Sequence, residues 1–315
     1  MPATVKIGTR GSQLALWQAH WVRSAIQRMN PSLLIEIVTI KTKGDKILDT
    51  PLALVGGKGL FVKEIEEALS DGRIDLAVHS LKDMPADIPA GLCIGPIPKR
   101  ESPQDALISK SGLPLAQLRN GARIGTSSLR RAAQLLHRRP DIIILPLRGN
   151  LDTRIRKLET EDIDAIVLAA AGLRRLNLEN KITEYLDDAV MLPAVGQGAL
   201  CIELRKDDAR TAAAVAGLNH PATQTVVRGE RAFLNRLEGG CQVPIAAHGA
   251  IKNNDFTLQG LVANLDGTTI IRDRLSGPAA ESEKIGTTLA ERLLSMGAKK
   301  ILDELKANEQ APTQR

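Results

Sequence analysis

Short apolar runs rich in β-branched residues alternate with segments of helical periodicity in the part of the chain before Pro221. Four of the runs, VKIGT, ARIGT, IIILPL and IDAIVLAAA, are each followed by a segment whose apolar residues recur every three to four positions. This alternation is typical of α/β proteins, in which helices cover the faces of a mostly parallel sheet. The pattern therefore predicts an α/β architecture for this part of the chain.

The helical segment that follows VKIGT carries an apolar stripe. Leu14, Trp17, Trp21 and Ala25 fall at positions i, i+3, i+7 and i+11 of this segment. This spacing places all four side chains on one side of a helix. We therefore expect both tryptophans to belong to the core rather than to a ligand platform.

After Pro221 the pattern changes. One long helical segment is followed by the alternating runs IAAHGAIK, DFTLQGLVAN and TIIRDRLSG, and then by two further helical segments. Alternation of apolar and polar residues is typical of an antiparallel sheet with one solvated face. The sequence predicts a separate, small α+β module here, and a disordered polar tail over residues 308–315.

The composition is ordinary for a globular protein, with 43% hydrophobic and 25% charged residues among 315. The length predicts two or three domains. Lys and Arg number 42 against 36 Asp and Glu, which gives a net charge of +6. Two Trp, one Tyr and three Phe leave few side chains on which bases could stack, so the composition disfavours a nucleic-acid partner.

The three cysteines, Cys93, Cys201 and Cys241, are widely spaced and form no CxxC pair. Neither a disulfide framework nor a zinc site is indicated, and the five histidines lack metal-ligand spacing. No metal is therefore expected. The first residues lack the apolar core of a signal peptide, and no stretch approaches about 18 apolar residues. We expect a cytoplasmic protein.

Cations repeatedly follow the predicted strands. In open α/β sheets, ligands bind outside the carboxyl ends of the strands, so these cations are expected to meet at one cleft. In chain order they are Arg10, Lys82, Arg130, Arg131, Arg148, Arg154, Arg174 and Arg175. Each could also be a solvated surface residue.

Arg130 and Arg131 stand where a cation is unfavourable. They directly follow the predicted helix cap at residues 127–128, where the helix dipole disfavours positive charge by about 0.3 to 1 kcal/mol. Arg138 and Arg139 stand near the end of the same helix, where the dipole favours them, and are expected to be structural. A helix N-terminus with hydroxyls and guanidinium groups favours carboxylate or phosphate, so the sequence predicts a polyanionic ligand.

Three further residues are candidates for chemistry. Cys241 follows NRLEGG and precedes QVPI, so its thiol lies in a tight loop and is either a nucleophile or an inert cysteine. Lys58, in VGGKGLF, lacks the spacing of a phosphate-binding loop and is either a ligand contact or solvated. Asp83 is either a catalytic carboxylate or a helix-cap acid; no second acid stands beside a cation at a comparable strand end. Among the histidines only His79, close to Asp83, is of interest.

Together these segments closely resemble the porphobilinogen deaminase (hydroxymethylbilane synthase) family of tetrapyrrole and heme biosynthesis. The resemblance extends from about Ile7 to the last helices. The motifs that carry it are TRGSQLALWQA, GGKGLFVKE, DLAVHSLKDMP, IGTSSLRRAAQL, LRGN with TRIRKL, LPAVGQGAL and LEGGCQVPIAA.

The resemblance implies two α/β lobes like those of periplasmic binding proteins, joined by two crossings, and a C-terminal domain that carries the cysteine. With the Pro-rich breaks as junctions, the expected domains are 1–98 with 199–218, then 104–193, then 221–307. The family also implies a monomer.

The resemblance further implies a dipyrromethane cofactor joined to Cys241 through a thioether. The residues that would bind cofactor carboxylates are Ser12, Lys82, Thr126, Ser127, Ser128, Arg130, Arg131 and Arg154. Those that would face the substrate and the growing chain are Arg10, Lys58, Arg148, Arg175 and Gln197.

The implied activity is a transferase reaction in which four porphobilinogen molecules condense head to tail into hydroxymethylbilane with loss of ammonia. Asp83 would hold pyrrole N–H groups and stabilise the positive charge that develops. The alternative from another class is a non-enzymatic, two-lobed carboxylate-binding protein. That alternative would also explain the arginines, but it requires neither a thiol in a glycine loop nor a third domain.

Overall fold

The computed structural model describes residues 4–46, 59–238 and 243–310. The strands in these ranges are β1 Thr4–Thr9, β2 Leu34–Thr39, β3 Leu76–Ser80, β4 Leu92–Ile94, β5 Asp105–Ser109, β6 Arg123–Gly125, β7 Ile143–Leu145, β8 Ala165–Ala169, β9 Glu184–Leu186, β10 Leu200–Arg205, β11 Ile245–Lys252, β12 Asp255–Ala263 and β13 Ile270–Pro278. The α-helices are α1 Gln13–Met29, α2 Lys43–Lys46, α3 Lys63–Ser70, α4 Leu129–Arg138, α5 Leu151–Thr160, α6 Ala170–Arg175, α7 Ala209–Val215, α8 Pro221–Arg236, α9 Ser282–Leu293 and α10 Lys299–Gln310.

The first sheet has the strand order β2-β1-β3-β10-β4. β1 pairs in parallel with β2 and β3, whereas β10 runs against both β3 and β4, so four strands share one direction. Helix α1 covers one face, where Val22 and Ile26 pack with β1, and α3 covers the other face through Ile65 and Leu69.

The second sheet repeats this arrangement in the order β7-β6-β8-β5-β9. Here β5 is the reversed strand, antiparallel to β8 and β9, while β6 is parallel to β7 and β8. In each sheet the reversed strand is the first one after the chain has crossed from the other sheet. The predicted α/β class, with a mostly parallel sheet in each lobe, is confirmed.

The third sheet is antiparallel, in the order β11-β12-β13, and helices α8 and α9 pack on it. Phe233, Phe256 and Leu289 are fully buried in its core. Gly249 leaves room for the Phe256 ring, since a Cβ atom there would lie 2.6 Å from it. The predicted C-terminal α+β module with three alternating strands and two final helices is confirmed.

Two predictions about helices need correction. Of the predicted stripe, Ala25 is buried and the half-buried Trp21 packs against the core, whereas the half-buried Trp17 ring lies 5.8 Å from the Arg175 guanidinium. The buried side of α1 is centred on Ala19, Val22 and Ile26, so the stripe is rotated relative to the predicted one. Small and branched side chains let the helix approach the sheet closely, and the indole rings then lie at the edge of the contact.

The last helix, α10, continues to Gln310 and so includes the first three residues of the predicted tail. Ile301 and Leu302 anchor its first turns in the core, and polar residues can extend a helix that is already nucleated. Within the ranges given above, no helix is long and apolar enough to cross a membrane.

The two crossing segments, near residues 95–104 and 192–199, run side by side. The amide of Glu101 donates to the carbonyl of Gly198 at 3.2 Å, and Arg100 Nε donates to the carbonyl of Gln197 at 2.7 Å. The carboxylate of Glu230 in α8 is fully buried and accepts from Arg100 Nη1 at 2.6 Å and from the amide of Gly196 at 2.7 Å. These contacts tie the crossings to the C-terminal module; the predicted domain limits stay a prediction.

Candidate functional site

The carboxyl ends of the parallel strands in the first sheet open into a cavity. Its lining includes Arg10, Ser12, Gln18, Ser80 and Asp83. Ser12 caps α1 by accepting the amide of Ala15 at 3.3 Å. The Gln18 amide donates to Ser80 Oγ at 2.9 Å, which connects α1 to the end of β3.

Lys82 and Asp83 lie in a short 3₁₀ turn that continues β3. The ammonium of Lys82 donates to Gln197 Oε1 at 3.5 Å. The pKa of Lys82 is lowered to about 8, first by burial and then by the nearby Arg131, while Asp83 opposes the shift. Lys82 therefore lies among groups from both sheets, and Asp83 is next to it on the cavity wall.

Arg130 and Arg131 occupy the first turn of α4 and are both buried. Each pairs with the carboxylate of Asp105, Arg131 through Nε at 2.9 Å and Nη2 at 2.7 Å, and Arg130 through Nη1 at 2.8 Å. Burial would raise the pKa of Asp105, but Arg130 and Arg131 hold it down, at about 2. The two guanidinium groups are thus fixed in position.

Sequence reasoning missed Asp105, because it looked for acids after strands. Asp105 is the first residue of β5, and its partner in the ladder is Ala169, the last residue of β8. Since β5 is antiparallel, its first residue lies at the same edge as the last residues of the parallel strands. The expectation that no second acid lies at a comparable strand end beside cations is wrong.

The hydroxyl residues before α4 form the turn between β6 and that helix. Thr126 is buried and its Oγ1 accepts the amide of Ser128 at 3.2 Å. Ser127 Oγ bonds to the carbonyl of Leu147 at 3.0 Å, and Ser128 is the N-cap residue without a side-chain cap bond. The predicted cap position is thus confirmed for Ser128, while Ser127 connects this turn to the segment after β7 at Leu147.

Arg154 lies among like charges. Its Nε donates to the carbonyl of Gly149 at 2.8 Å. The pKa of Arg154 is lowered to about 10, first by burial and then by the arginines around it, whereas Asp83 raises it. These arginines are Arg131, Arg148 and Arg10. The Arg10 guanidinium also lies 4.4 Å from the centre of the Phe61 ring.

Arg175 and Gln197 lie where the crossings meet the two sheets. Arg175 is buried, donates to the carbonyl of Gly198 at 2.7 Å and has its pKa lowered to about 10 by burial. Gln197 is fully buried and donates to the carbonyl of Pro103 at 2.6 Å. Gln197 therefore connects Lys82 of the first sheet to the crossing that leads into the second.

Other charged residues singled out above have structural partners. Arg174 pairs with Glu101 at 2.9 Å, and Arg139 donates to the carbonyl of Leu115 at 2.8 Å beyond the end of α4. Arg138 is exposed.

Cys93 and Cys201 lie in β4 and β10 as predicted, and burial raises the pKa of both thiols. Cys241 and Lys58 lie outside the described residues. In the three described ranges, no group of three or more His, Cys, Asp or Glu side chains could hold a metal ion.

The site thus joins many cations to two carboxylates, Asp83 and Asp105. Buried cations that lower one another's pKa are stabilised by an anionic ligand, since added negative charge favours their charged form. Guanidinium groups bind carboxylates in bidentate fashion. The arrangement suits a ligand with several carboxylates and places the acid Asp83 at the cavity wall.

Two family models match the chain. Residues 5–213 match the model described as "Porphobilinogen deaminase, dipyromethane cofactor binding domain", and residues 224–295 match "Porphobilinogen deaminase, C-terminal domain".

Curated relatives cover nearly the whole chain. A porphobilinogen deaminase of Syntrophotalea carbinolica is 58% identical over 96% of this chain and 96% of its own length. One of Geobacter metallireducens is 56% identical over 98% and 97%. Among solved structures, the methionine-binding protein MetQ matches 68% of this chain and 88% of its own at 16% identity, with a TM-score of 0.44.

Proposed function

The chain belongs to the porphobilinogen deaminase family, and on that premise we propose that it joins four porphobilinogen molecules head to tail into hydroxymethylbilane. Four porphobilinogen molecules and one water give one hydroxymethylbilane and four ammonia. The observation that carries the proposal is a cluster of cations beside Asp83, in which Arg131 lowers the pKa of both Lys82 and Arg154. Each porphobilinogen ring carries an acetate and a propionate, so a growing chain needs many cationic partners.

The residues present fit the dipyrromethane cofactor that the family binds. Lys82 and Arg154 lie among like charges, and the turn 126–128 offers hydroxyls at the same edge. We infer that these groups, with Arg130, Arg131 and Ser12, hold cofactor carboxylates. When bound, the cofactor supplies a pyrrole with a free α-carbon, on which the new chain is built. Cys241 is the proposed attachment point.

Asp83 is the proposed catalytic residue. Loss of ammonia from porphobilinogen leaves a cation, and a carboxylate beside the pyrrole N–H groups stabilises that charge as it develops. Lys82 lies next to Asp83, whose charge favours the charged form of Lys82. After each new carbon–carbon bond forms, the α-carbon of the attacking pyrrole loses its proton, for which Asp83 is the acceptor at hand.

The substrate and the growing chain are proposed to bind through Arg10, Arg148, Arg175 and Gln197, with Lys58 from the segment outside the described residues. Arg10 and Arg148 act on the electrostatics of Arg154, and Arg175 and Gln197 lie at the crossings. This distribution supports a site that extends from the cofactor toward the junction of the two sheets.

The test of the proposed function is intact mass together with turnover. The purified protein is expected to consume porphobilinogen and to carry excess mass equal to two linked porphobilinogen units. Cys241→Ser is expected to lose both, because a hydroxyl forms its nucleophilic anion far less readily than a thiol.

The matched controls are Cys93→Ala and Cys201→Ala, whose thiols lie in strands and are expected to leave the adduct in place. Active protein of unmodified mass would refute the cofactor assignment. Ligand binding without turnover in the parent protein would instead favour a two-lobed carboxylate receptor.

We further propose that the protein acts as a monomer in the cytoplasm and does not use nucleic acid as a partner. The modest net charge of +6 and the few aromatic residues support the last point. Light scattering of the purified protein measures the first; a stable dimer would contradict it.

A further inference from the structure

Behind the Lys82 and Asp83 turn, the first sheet buries ionisable groups that the proposed reaction does not use. His79 is 5% exposed, Glu203 0% and Glu66 9%. His79 pairs across the sheet with Cys201, and Glu203 is two residues further along β10. The side chains of His79, Cys201 and Glu203 therefore lie on one face of the sheet, the face that α3 covers with Glu66.

His79 Nε2 and Glu203 Oε2 are 3.1 Å apart. The remaining oxygen, Oε1, of Glu203 is buried without a hydrogen-bond partner, and so is Oε1 of Glu66. Buried oxygens without partners are costly, so two such carboxyl oxygens on one face of the sheet indicate that at least one of the two carboxyl groups holds a proton.

Charge counting gives the same result. Two carboxylates and one imidazole are electrically neutral when one carboxyl is protonated and the other pairs with an imidazolium. A cluster that holds fewer or more protons than this buries a net charge, which the protein interior disfavours. In agreement, the pKa of Glu66 is raised from its ordinary value of 4.5 to about 7, first by burial and then by the charge of Glu203, while His79 opposes the shift.

Other titratable and charged groups face this cluster. On β10 the buried thiol of Cys201 interacts with both carboxyl groups, and Cys93 of β4 lies within its electrostatic range. From α8, Arg231 acts on Cys201 and donates to the carbonyl of Ala86 at 2.8 Å, beyond the Asp83 turn. Arg231 and Lys206, which acts on Cys93, limit the negative charge on this face.

The cluster connects directly to the site. His79 and Ser80 both line the cavity that Asp83 also lines, and Leu81 to Asp83 continue the strand without a break. A side chain fixed on one face of β3 fixes the backbone at the strand end, and with it the direction of the turn that follows.

We propose that Glu66, His79 and Glu203 form a buried proton-sharing triad that positions the Ser80 to Asp83 segment and makes the electrostatic potential at Asp83 depend on pH. The three are positioning residues, since they act through β3. The proposal rests on the proposed function for its effect on turnover, but the triad itself can be tested without substrate.

The stability test uses Glu66→Gln, which keeps the size of the side chain and holds it neutral. Because the folded-state pKa of Glu66 is raised, the wild-type protein loses stability as the pH rises from about 4.5 through 7, where the folded protein must give up its proton. The variant is expected to lack this part of the pH dependence of urea unfolding. Glu67→Gln, the exposed neighbour in α3, is the matched control and should keep the wild-type slope.

The activity test measures the single-turnover rate from pH 6 to 8. In the wild-type protein and in Glu67→Gln the rate is expected to rise about threefold through pH 7, because the negative charge that Glu66 gains favours the cation that develops beside Asp83. The single-turnover rate of Glu66→Gln should not change with pH over this range. Glu203→Gln removes the partner of His79 and should lower the rate at every pH.

If Glu66→Gln keeps the wild-type pH dependence of stability, the shared proton does not exist. If only the stability slope changes and the turnover profile does not, the triad is structural and its positioning role is refuted. If the parent protein has no turnover at all, the proposed function fails while the stability test still decides the triad.

Discussion

The first and second sheets share one strand order, yet they carry different sets of charged groups at their site edges. The first sheet carries Asp83 after β3, with the buried Glu66, His79 and Glu203 behind it. The second sheet buries Arg130 and Arg131 in the first turn of α4. The comparison teaches that the scaffold does not choose the sign of the charge: the residues that follow each strand do, because the strands themselves are filled with core residues.

The reversed strands differ in the same way. In the second sheet the reversed strand begins with Asp105, which neutralises part of the arginine charge. In the first sheet the residues that lead into the reversed strand include Gln197, a neutral partner for Lys82. The second sheet is thus a rigid cation site, and the first combines one acid with one titrating lysine.

The largest expected effect comes from removing the acid of the second sheet. Asp105→Asn leaves two buried guanidinium groups without a carboxylate, and breaking a buried ion pair costs about 3 to 5 kcal/mol. Urea unfolding measures this loss. Asp162→Asn, which breaks an exposed pair with Arg123, is the matched control and should change stability by less than about 1 kcal/mol.

The same Asp105→Asn protein is expected to load less cofactor, because its arginines lose their fixed positions. Equal stability of Asp105→Asn and Asp162→Asn would contradict the view that the second sheet depends on a buried ion pair.

The next effect concerns the acid of the first sheet. Asp83→Asn keeps the side-chain size but removes the charge, and loss of one preorganised interaction costs about 10² to 10³ in kcat. Stability should change little, in contrast to Asp105→Asn. Steady-state rates and the profile of enzyme-bound intermediates provide the measurement.

Asp83→Glu keeps the charge and is expected to retain more activity than Asp83→Asn, while Asp71→Asn, exposed after α3, serves as the control. Near-normal turnover in Asp83→Asn would show that the first sheet does not supply the catalytic acid.

The smallest effect concerns the titration of Lys82. With a pKa of about 8, only about a tenth of the molecules keep a charged Lys82 at pH 9, so its contact with a carboxylate weakens. Cofactor assembly on apoprotein is expected to slow about tenfold between pH 7 and 9. The rate of cofactor assembly on Lys82→Arg should not change between these pH values, because a guanidinium remains charged.

Lys63→Arg, an exposed lysine of α3, should behave as the wild-type protein does. An equal slowing in Lys82→Arg would assign the pH dependence to another group, and the contrast between a titrating first sheet and a permanently charged second sheet would be lost.

The α/β class and the antiparallel C-terminal module could be predicted from the sequence, because hydrophobic periodicity is a local property. Period-two runs become strands and helical runs become helices wherever one face can be buried. Positions that depend on the partner could not be predicted. The buried stripe of α1 passes through Ala19 and Val22 rather than the tryptophans, since the sheet surface selects which side of the helix approaches it.

For the site, the sequence by itself determined the cations after the strands and the acid at Asp83, because a residue that follows a strand must lie at the sheet edge. Only the tertiary structure decided that Asp105 belongs to the same edge, that Gln197 bridges to Lys82, and that Glu66 lies within electrostatic range of His79 and Glu203. These groups come from an antiparallel strand, a crossing and a covering helix, elements far apart in the chain. Their proximity follows from strand order and packing, which no local pattern encodes.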